Sequence, residues 1–206
     1  MGAGGAALQV WALLKDLGDR TDEVGGFVIA HPPSFDVEGL AVQSEQDFLA
    51  LADPGREHVV IAIGDPVQRE AVAGRYAAAG FRAPTLVHPS ALIGPHVSIG
   101  AGCIVLAHAI LETHIHLGEH VLVNLAAVIS HENRIGSFTN VGPRSCLAGG
   151  VVVGRRCDLG AGVTIRPRIE LADDMVVGAG AVVVRNRNTA CTLVGNPATP
   201  LGEKRP

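Results

Sequence analysis

Ile93-Gly94-Pro95-His96-Val97-Ser98-Ile99-Gly100 opens a run in which every sixth residue is Ile, Leu or Val. The register passes through Ile93, Ile99, Val105, Leu111, Leu117, Val123, Ile129 and Ile135. It continues without a slip through Val141, Leu147, Val153, Leu159, Ile165, Leu171, Val177 and Val183, so that sixteen hexads fill residues 93–188. The next residue is often small, as at Gly94, Gly100, Gly118, Gly136, Gly142, Ala148 and Gly154. The fifth place is mostly small or β-branched, as at Cys103, Ala109, Val121, Ala127, Thr139, Ser145 and Cys157. A period of six fits neither an amphipathic helix nor a lone hairpin. It is the period of a parallel β-helix, each hexad giving one short strand and one turn. Three hexads close a coil, so residues eighteen apart stack at about the 4.8 Å spacing of neighbouring strands.

The composition agrees. In 206 residues the chain is 48% hydrophobic but only 3% aromatic, with 26 glycines, as a narrow core of small and branched aliphatics requires. A net charge of −4 offers no surface for nucleic acid. Cys103, Cys146, Cys157 and Cys191 have no metal or redox spacing, and Cys103 and Cys157 fall on fifth places, where they read as buried fillers. The uncharged stretch Gly2 to Leu14 lacks the basic start and cleavage site of a signal peptide and reads as helix. Val87–Leu111 is also uncharged, but Pro, His and Gly interrupt it at the hexad period, so no membrane span is expected and a cytoplasmic protein is.

The first 86 residues follow a different grammar and form a separate α/β domain, with residues 87–206 as the second. Ala6–Leu17 reads as a helix closed by Gly18, Gly26–Ala30 as a strand, and Ser44–Leu51 as a helix capped by Ser44. His58–Gly64 reads as a buried strand, Asp65-Pro66 as the start of a helix running to Gly80, and Pro84–Leu86 as a last strand. This alternation predicts a small Rossmann-like parallel domain; only Met1 precedes the glycine turn, so either its first strand is missing from this sequence or the start is wrongly placed. A glycine turn opening a helix is a ready anion site. At the far end Leu193-Val194-Gly195-Asn196-Pro197-Ala198 breaks the hexad rule and reads as a loop closing the last coil.

His96, His108, His114 and His120 occupy fourth places, and successive hexads lie on different sides. His108, His114 and His120 therefore cannot converge on one metal within a chain, and no metal is expected. His131 differs. It lies in Ile129-Ser130-His131-Glu132-Asn133-Arg134, with Asn124 before it and Asn140 after. A carboxylate beside an imidazole favours its protonated form, as a general base needs.

Asn124, His131-Glu132, Ile135-Gly136, Phe138, Val141-Gly142-Pro143 and Leu147-Ala148-Gly149-Gly150-Val151 together resemble the NeuD/PglD-type acyltransferases. These are the sialic acid O-acetyltransferases and nucleotide-linked amino-sugar N-acetyltransferases of the hexapeptide-repeat superfamily. Gly2–Gly5, Gly25-Gly26-Phe27, Ile61–Arg69, Val87–Ala91 and Gly195-Asn196-Pro197-Ala198 extend the resemblance over nearly the whole chain. The resemblance implies a left-handed β-helix, a homotrimer, and acetyl-coenzyme A bound along the solenoid between neighbouring subunits. It makes His131 the general base, Glu132 its tuning neighbour and Asn124 an active-site asparagine. Asn140, Ala148, Gly149 and Ala161 become coenzyme-binding positions, with the Gly149 N–H holding the thioester oxygen. Gly4, Gly5, Gly64 and Asp65 become acceptor-binding positions.

Three departures stand out. Asn140 replaces a second histidine of many members, Ala6-Ala7 follows the glycine turn where the family has His-Gly, and Val28-Ile29-Ala30-His31 replaces acidic residues that contact the nucleotide base. The expected activity is direct N-acetylation of a nucleotide-linked amino sugar. O-acetylation of a sugar of the sialic acid type, and a trimeric scaffold without catalysis, are the alternatives.

Overall fold

A computed structural model gives the structure, describing residues 5–18, 24–30 and 39–202. The chain divides into two compact units, Met1–Pro84 and Thr85–Pro206.

The second unit is a parallel β-helix with three faces. The first face holds Leu86–Val87, Ile104–Val105, Leu122–Val123, Asn140–Val141, Asp158–Leu159 and Val176–Val177, ending in Thr192–Val194 and Thr199–Pro200. The second holds Leu92–Ile93, Ile110–Leu111, Val128–Ile129, Cys146–Leu147, Thr164–Ile165 and Val182–Val183. The third holds Ser98–Ile99, His116–Leu117, Arg134–Ile135, Val152–Val153 and Glu170–Leu171. Register is the predicted one: Ile129 pairs with Leu111 below and Leu147 above, eighteen residues either way.

The aliphatic places make the core. From Val105 to Val183 none is more than 3% exposed, whereas Ile93, on the edge strand of its face, is 40% exposed. Fifth places from Cys103 to Ala181 are buried with them, Cys157 included, and burial pushes the Cys157 thiol up to about 11. Where a fifth place is polar, its side chain bonds a corner carbonyl fifteen residues on: Thr139 Oγ1 to Gly154 O at 2.8 Å, Ser145 Oγ to Gly160 O at 2.9 Å.

Corners are set by the fourth place. Every one from His96 to Gly180 has φ between 53° and 72°, in the left-handed region. β-Branched residues are disfavoured there, and none occupies any of these places. The four fourth-place histidines are thus turn residues, and His108, His114 and His120 lie at three different corners. Among the described residues no cluster of His, Cys, Asp or Glu is arranged to hold a metal ion.

The far end is more than a loop. Thr192–Val194 continues the first face in parallel, pairing Leu193 with Val177, and then turns back antiparallel onto Thr199–Pro200. Fully buried Leu193 and nearly buried Ala198 close the core.

In the first unit, helix α1 (Gly5–Asp16) buries Ala7, Val10, Trp11 and Leu13. Strands β1 (Phe27–Ile29) and β2 (Val42–Ser44) pair in parallel. The sequence reading misses β2, whose three half-buried residues Val-Gln-Ser carry no hydrophobic alternation. Ser44 caps α2 (Glu45–Leu51), its Oγ accepting from Asp47 N at 3.0 Å. Asp65 caps α3 (Pro66–Ala78) by accepting from Gln68 N at 2.8 Å.

Two expectations are corrected. Residues 58–64 form no regular strand among the described residues: Val59 and Ile61 are buried, but one bridge, His58 to Arg82, is the ladder contact seen. The strand expected at Pro84–Leu86 is Leu86–Val87, and it pairs with Ile104–Val105 of the solenoid. The described part of this unit is a parallel pair with three helices. Gly4 and His31 lie outside the described residues. Also among the described residues, no helix is long and apolar enough to cross a membrane.

Candidate active site

His131 and Glu132 occupy the third and fourth places of their hexad, at the corner between the second and third faces. Glu132 is one of the left-handed residues, with φ 60°. That turn brings its carboxylate beside the preceding imidazole, with His131 Nδ1 and Glu132 Oε2 3.0 Å apart. Both side chains are open to solvent, 55% and 70% exposed, so a second molecule can reach them. With Nδ1 engaged by a carboxylate, Nε2 is the nitrogen left to exchange a proton.

Gly149 stands one coil further at the same corner. A Cβ built on it falls 2.5 Å from His131 Nε2, inside the space of the ring. The imidazole therefore lies over a position where any side chain would displace it. Two more groups fix it. Glu112 Oε2 accepts from His131 N at 3.1 Å. The fully buried Asn133 donates from Nδ2 to Ser130 O at 2.7 Å, to His131 O at 3.2 Å and to Ala148 O at 2.9 Å. An imidazole–carboxylate pair with an open approach can accept a proton.

The first unit carries a cleft of about 700 Å³, whose lining includes Gly5, Ala30, Glu45, Gly64, Asp65 and Arg75. Gly5 and Ala6, at the start of the described part of α1, line it. Arg75 Nη2 meets Glu45 Oε1 at 3.0 Å and Oε2 at 3.2 Å on its wall. Arg69, only 2% exposed, donates from Nη1 to Ile63 O at 2.7 Å and Gly64 O at 3.1 Å, fixing the turn that lines the cleft.

No family model matches the chain. A histidine-to-asparagine variant of perosamine N-acetyltransferase from Caulobacter crescentus, solved with CoA and GDP-perosamine, is 33% identical, with a TM-score of 0.92 over 98% of this chain and 95% of that one. The chain belongs to the hexapeptide-repeat sugar N-acetyltransferases. The acetyltransferase domain of PglB from Neisseria gonorrhoeae, solved with acetyl coenzyme A, is 31% identical, with a TM-score of 0.89 over 97% of this chain and 96% of that one. GDP-perosamine N-acetyltransferase of Escherichia coli is 28% identical over 168 residues, 79% of this chain and 75% of its own length.

In this acetyltransferase, His131, Glu132, Ala148 and Gly149 share one corner. Asn124 and Ala161 do not join them: both follow strands of the first face, at the corner between the first and second faces. Asn124 Oδ1 accepts from Leu125 N at 2.8 Å. Asn140 lies within a first-face strand, 9% exposed, its Nδ2 donating to Asp158 Oδ1 at 3.1 Å. Gly5, Gly64 and Asp65 gather around the first-unit cleft. Glu112, Asn133, Glu45 and Arg75 are absent from the sequence reading. Glu112 and Asn133 are visible only when the chain is read in columns eighteen apart, which set Glu112 beneath Ser130 and Asn133 at a place that small or apolar residues otherwise fill from Val97 to Ala181.

Proposed function

We propose that this chain transfers the acetyl group of acetyl-CoA to the amine of a nucleotide-linked amino sugar, with His131 as general base. The solenoid is read as left-handed and the assembly as a homotrimer. The first unit, drawn at residues 1–86, is read as a Rossmann-like domain that holds the nucleotide in its cleft. One observation carries the reading: an exposed imidazole, anchored at Nδ1 by a carboxylate 3.0 Å away, lies over a glycine one coil on.

A sugar amine is a weak nucleophile while protonated. The ammonium first gives one proton to solvent; His131 Nε2 then takes a second from the neutral amine as its nitrogen attacks the thioester carbonyl, and the Glu132 carboxylate stabilises the imidazolium that results. A C–N bond forms, the C–S bond breaks, and the proton passes from His131 to the departing thiolate. The Gly149 N–H holds the carbonyl oxygen as charge develops there, an effect worth about 3 kcal/mol in other acyl-transfer sites. With His131 and Gly149 at one corner and Asn124 and Ala161 at another, the complete site takes one corner from each of two neighbouring subunits. The names of relatives that bind GDP-perosamine and CoA support this choice of substrates.

The test is release of free thiol from acetyl-CoA in the presence of 4-amino and 3-amino nucleotide sugars and their hydroxy counterparts. Release with amino sugars alone is expected. Release with the hydroxy sugars alone, or with none of the acceptors, overturns the reading.

A further inference from the structure

Fifth places in the solenoid are Val, Ala, Cys, Thr, Ser, Ile or Met from Val97 to Ala181, with one exception, Asn133. Its side chain is fully buried. Thr139 and Ser145 each meet one corner carbonyl, whereas Asn133 Nδ2 meets three, those of Ser130, His131 and Ala148. Its own Oδ1 is buried with no partner among the described residues. A buried acceptor left unpaired is costly. A hydroxyl, as at Thr139 and Ser145, closes the long-range bond without that cost, so the amide is matched to the other two carbonyls at this corner.

Those carbonyls belong to the site. The Ala148 carbonyl and the Gly149 N–H are the two ends of one peptide unit, which is not among the cis bonds. In a trans peptide they point in opposite directions. Asn133 accordingly holds the Ala148 oxygen inward at 2.9 Å, which turns the Gly149 N–H outward, and the His131 ring lies against Gly149. The bond also polarises the peptide and strengthens its N–H as a donor. Through the His131 carbonyl at 3.2 Å, the same amide ties the base to that donor.

We propose that Asn133 is a positioning residue for the transfer step, a single buried amide that sets the general base and the oxyanion donor in register across two coils. This rests on the reading of His131 and Gly149 given above. Asn133 touches no substrate, so its loss falls on kcat and leaves binding of both substrates in place.

The test uses the full-length protein in four forms: wild type, Asn133→Ala, Asn133→Ser and, as a control, Thr139→Val, which removes the equivalent bond to Gly154 O at another corner. Expected for Asn133→Ala is a fall in kcat of about 10- to 100-fold, with KM for acetyl-CoA and amino sugar within about twofold. Asn133→Ser, able to close the bond to Ala148 O, recovers part of that loss. Thr139→Val lowers Tm and leaves kcat unchanged. Unchanged kcat in both Asn133 variants, or an equal fall in Thr139→Val, overturns the proposal. A His131→Ala variant of undiminished rate refutes the underlying reading instead, whatever Asn133 does.

Discussion

A Cβ on Gly149 and the His131 imidazole claim the same space, the built Cβ lying 2.5 Å from Nε2. Glycine is required here for proximity: Gly149 is not among the residues with positive φ, so its backbone accepts alanine. Gly149→Ala therefore leaves the solenoid folded and pushes the imidazole aside. Displacement of a reacting group by about 1 Å costs about 10²-fold in rate. We expect kcat to fall by that order, with circular dichroism and oligomeric state as in the wild type. A fully active Gly149→Ala enzyme dissociates the ring from the chemistry.

His131→Ala removes the base outright. Expected is a loss in kcat of about 10²-fold or more with little change in acetyl-CoA affinity, read by steady-state kinetics and calorimetry. Glu132→Gln keeps an acceptor near Nδ1, 3.0 Å away in the parent, but removes the charge that favours imidazolium. With the ring still held at Nδ1, its loss is smaller, about 10-fold. If Glu132→Gln loses more than His131→Ala, the carboxylate acts directly and the two roles are exchanged.

The solenoid was legible because one rule repeats. An aliphatic residue at every sixth position fixes strand, face and register together, and each corner then falls on a residue that tolerates positive φ. His131 and Glu132 could be picked out as adjacent residues in a run. Glu112 and Asn133 could not be, because they reach His131 through the stacking of coils rather than through the run itself. In the first unit no rule repeats. Residues 58–64 have the apolar content of a strand, yet whether a ladder forms depends on a partner that no local pattern specifies. Glu45 and Arg75 meet across thirty residues, from the starts and ends of different helices.

Away from the site, Arg156 and Asp174 stack one coil apart, with Nε to Oδ1 at 2.6 Å and Nη2 to Oδ2 at 2.7 Å. The hydrogen-bonded guanidinium holds the Asp174 carboxyl below its ordinary value. A carboxyl depressed by folding contributes stability above its unfolded value and loses it as pH falls through the folded one. The pair is 26% and 43% exposed, so its worth is about 1 kcal/mol or less, and salt screens it. Denaturation of wild type and Asp174→Asn across pH checks this. The gap is largest near neutrality and closes below the carboxylate range. A gap that widens in acid reverses the assignment.

Asn124 and His131 stand at different corners of one prism, separated by the second face. A rigid solenoid cannot bring them together, since each strand between them is pinned on both sides, Val128–Ile129 by Ile110–Leu111 and Cys146–Leu147. If both act on one substrate, they belong to different subunits, and inactivating each on separate chains becomes a test of where the site lies. Subunits carrying His131→Ala and subunits carrying Asn124→Ala are each impaired alone. Mixed within one assembly, some junctions unite an intact His131 corner with an intact Asn124 corner. In every mixed homotrimer one junction of the three is of this kind, so about a third of wild-type activity returns. Co-expression with two affinity tags and purification through both supplies the mixed assemblies. A mixture no more active than its separate components places both residues' contributions within a single chain and removes Asn124 from the reaction centre that His131 serves.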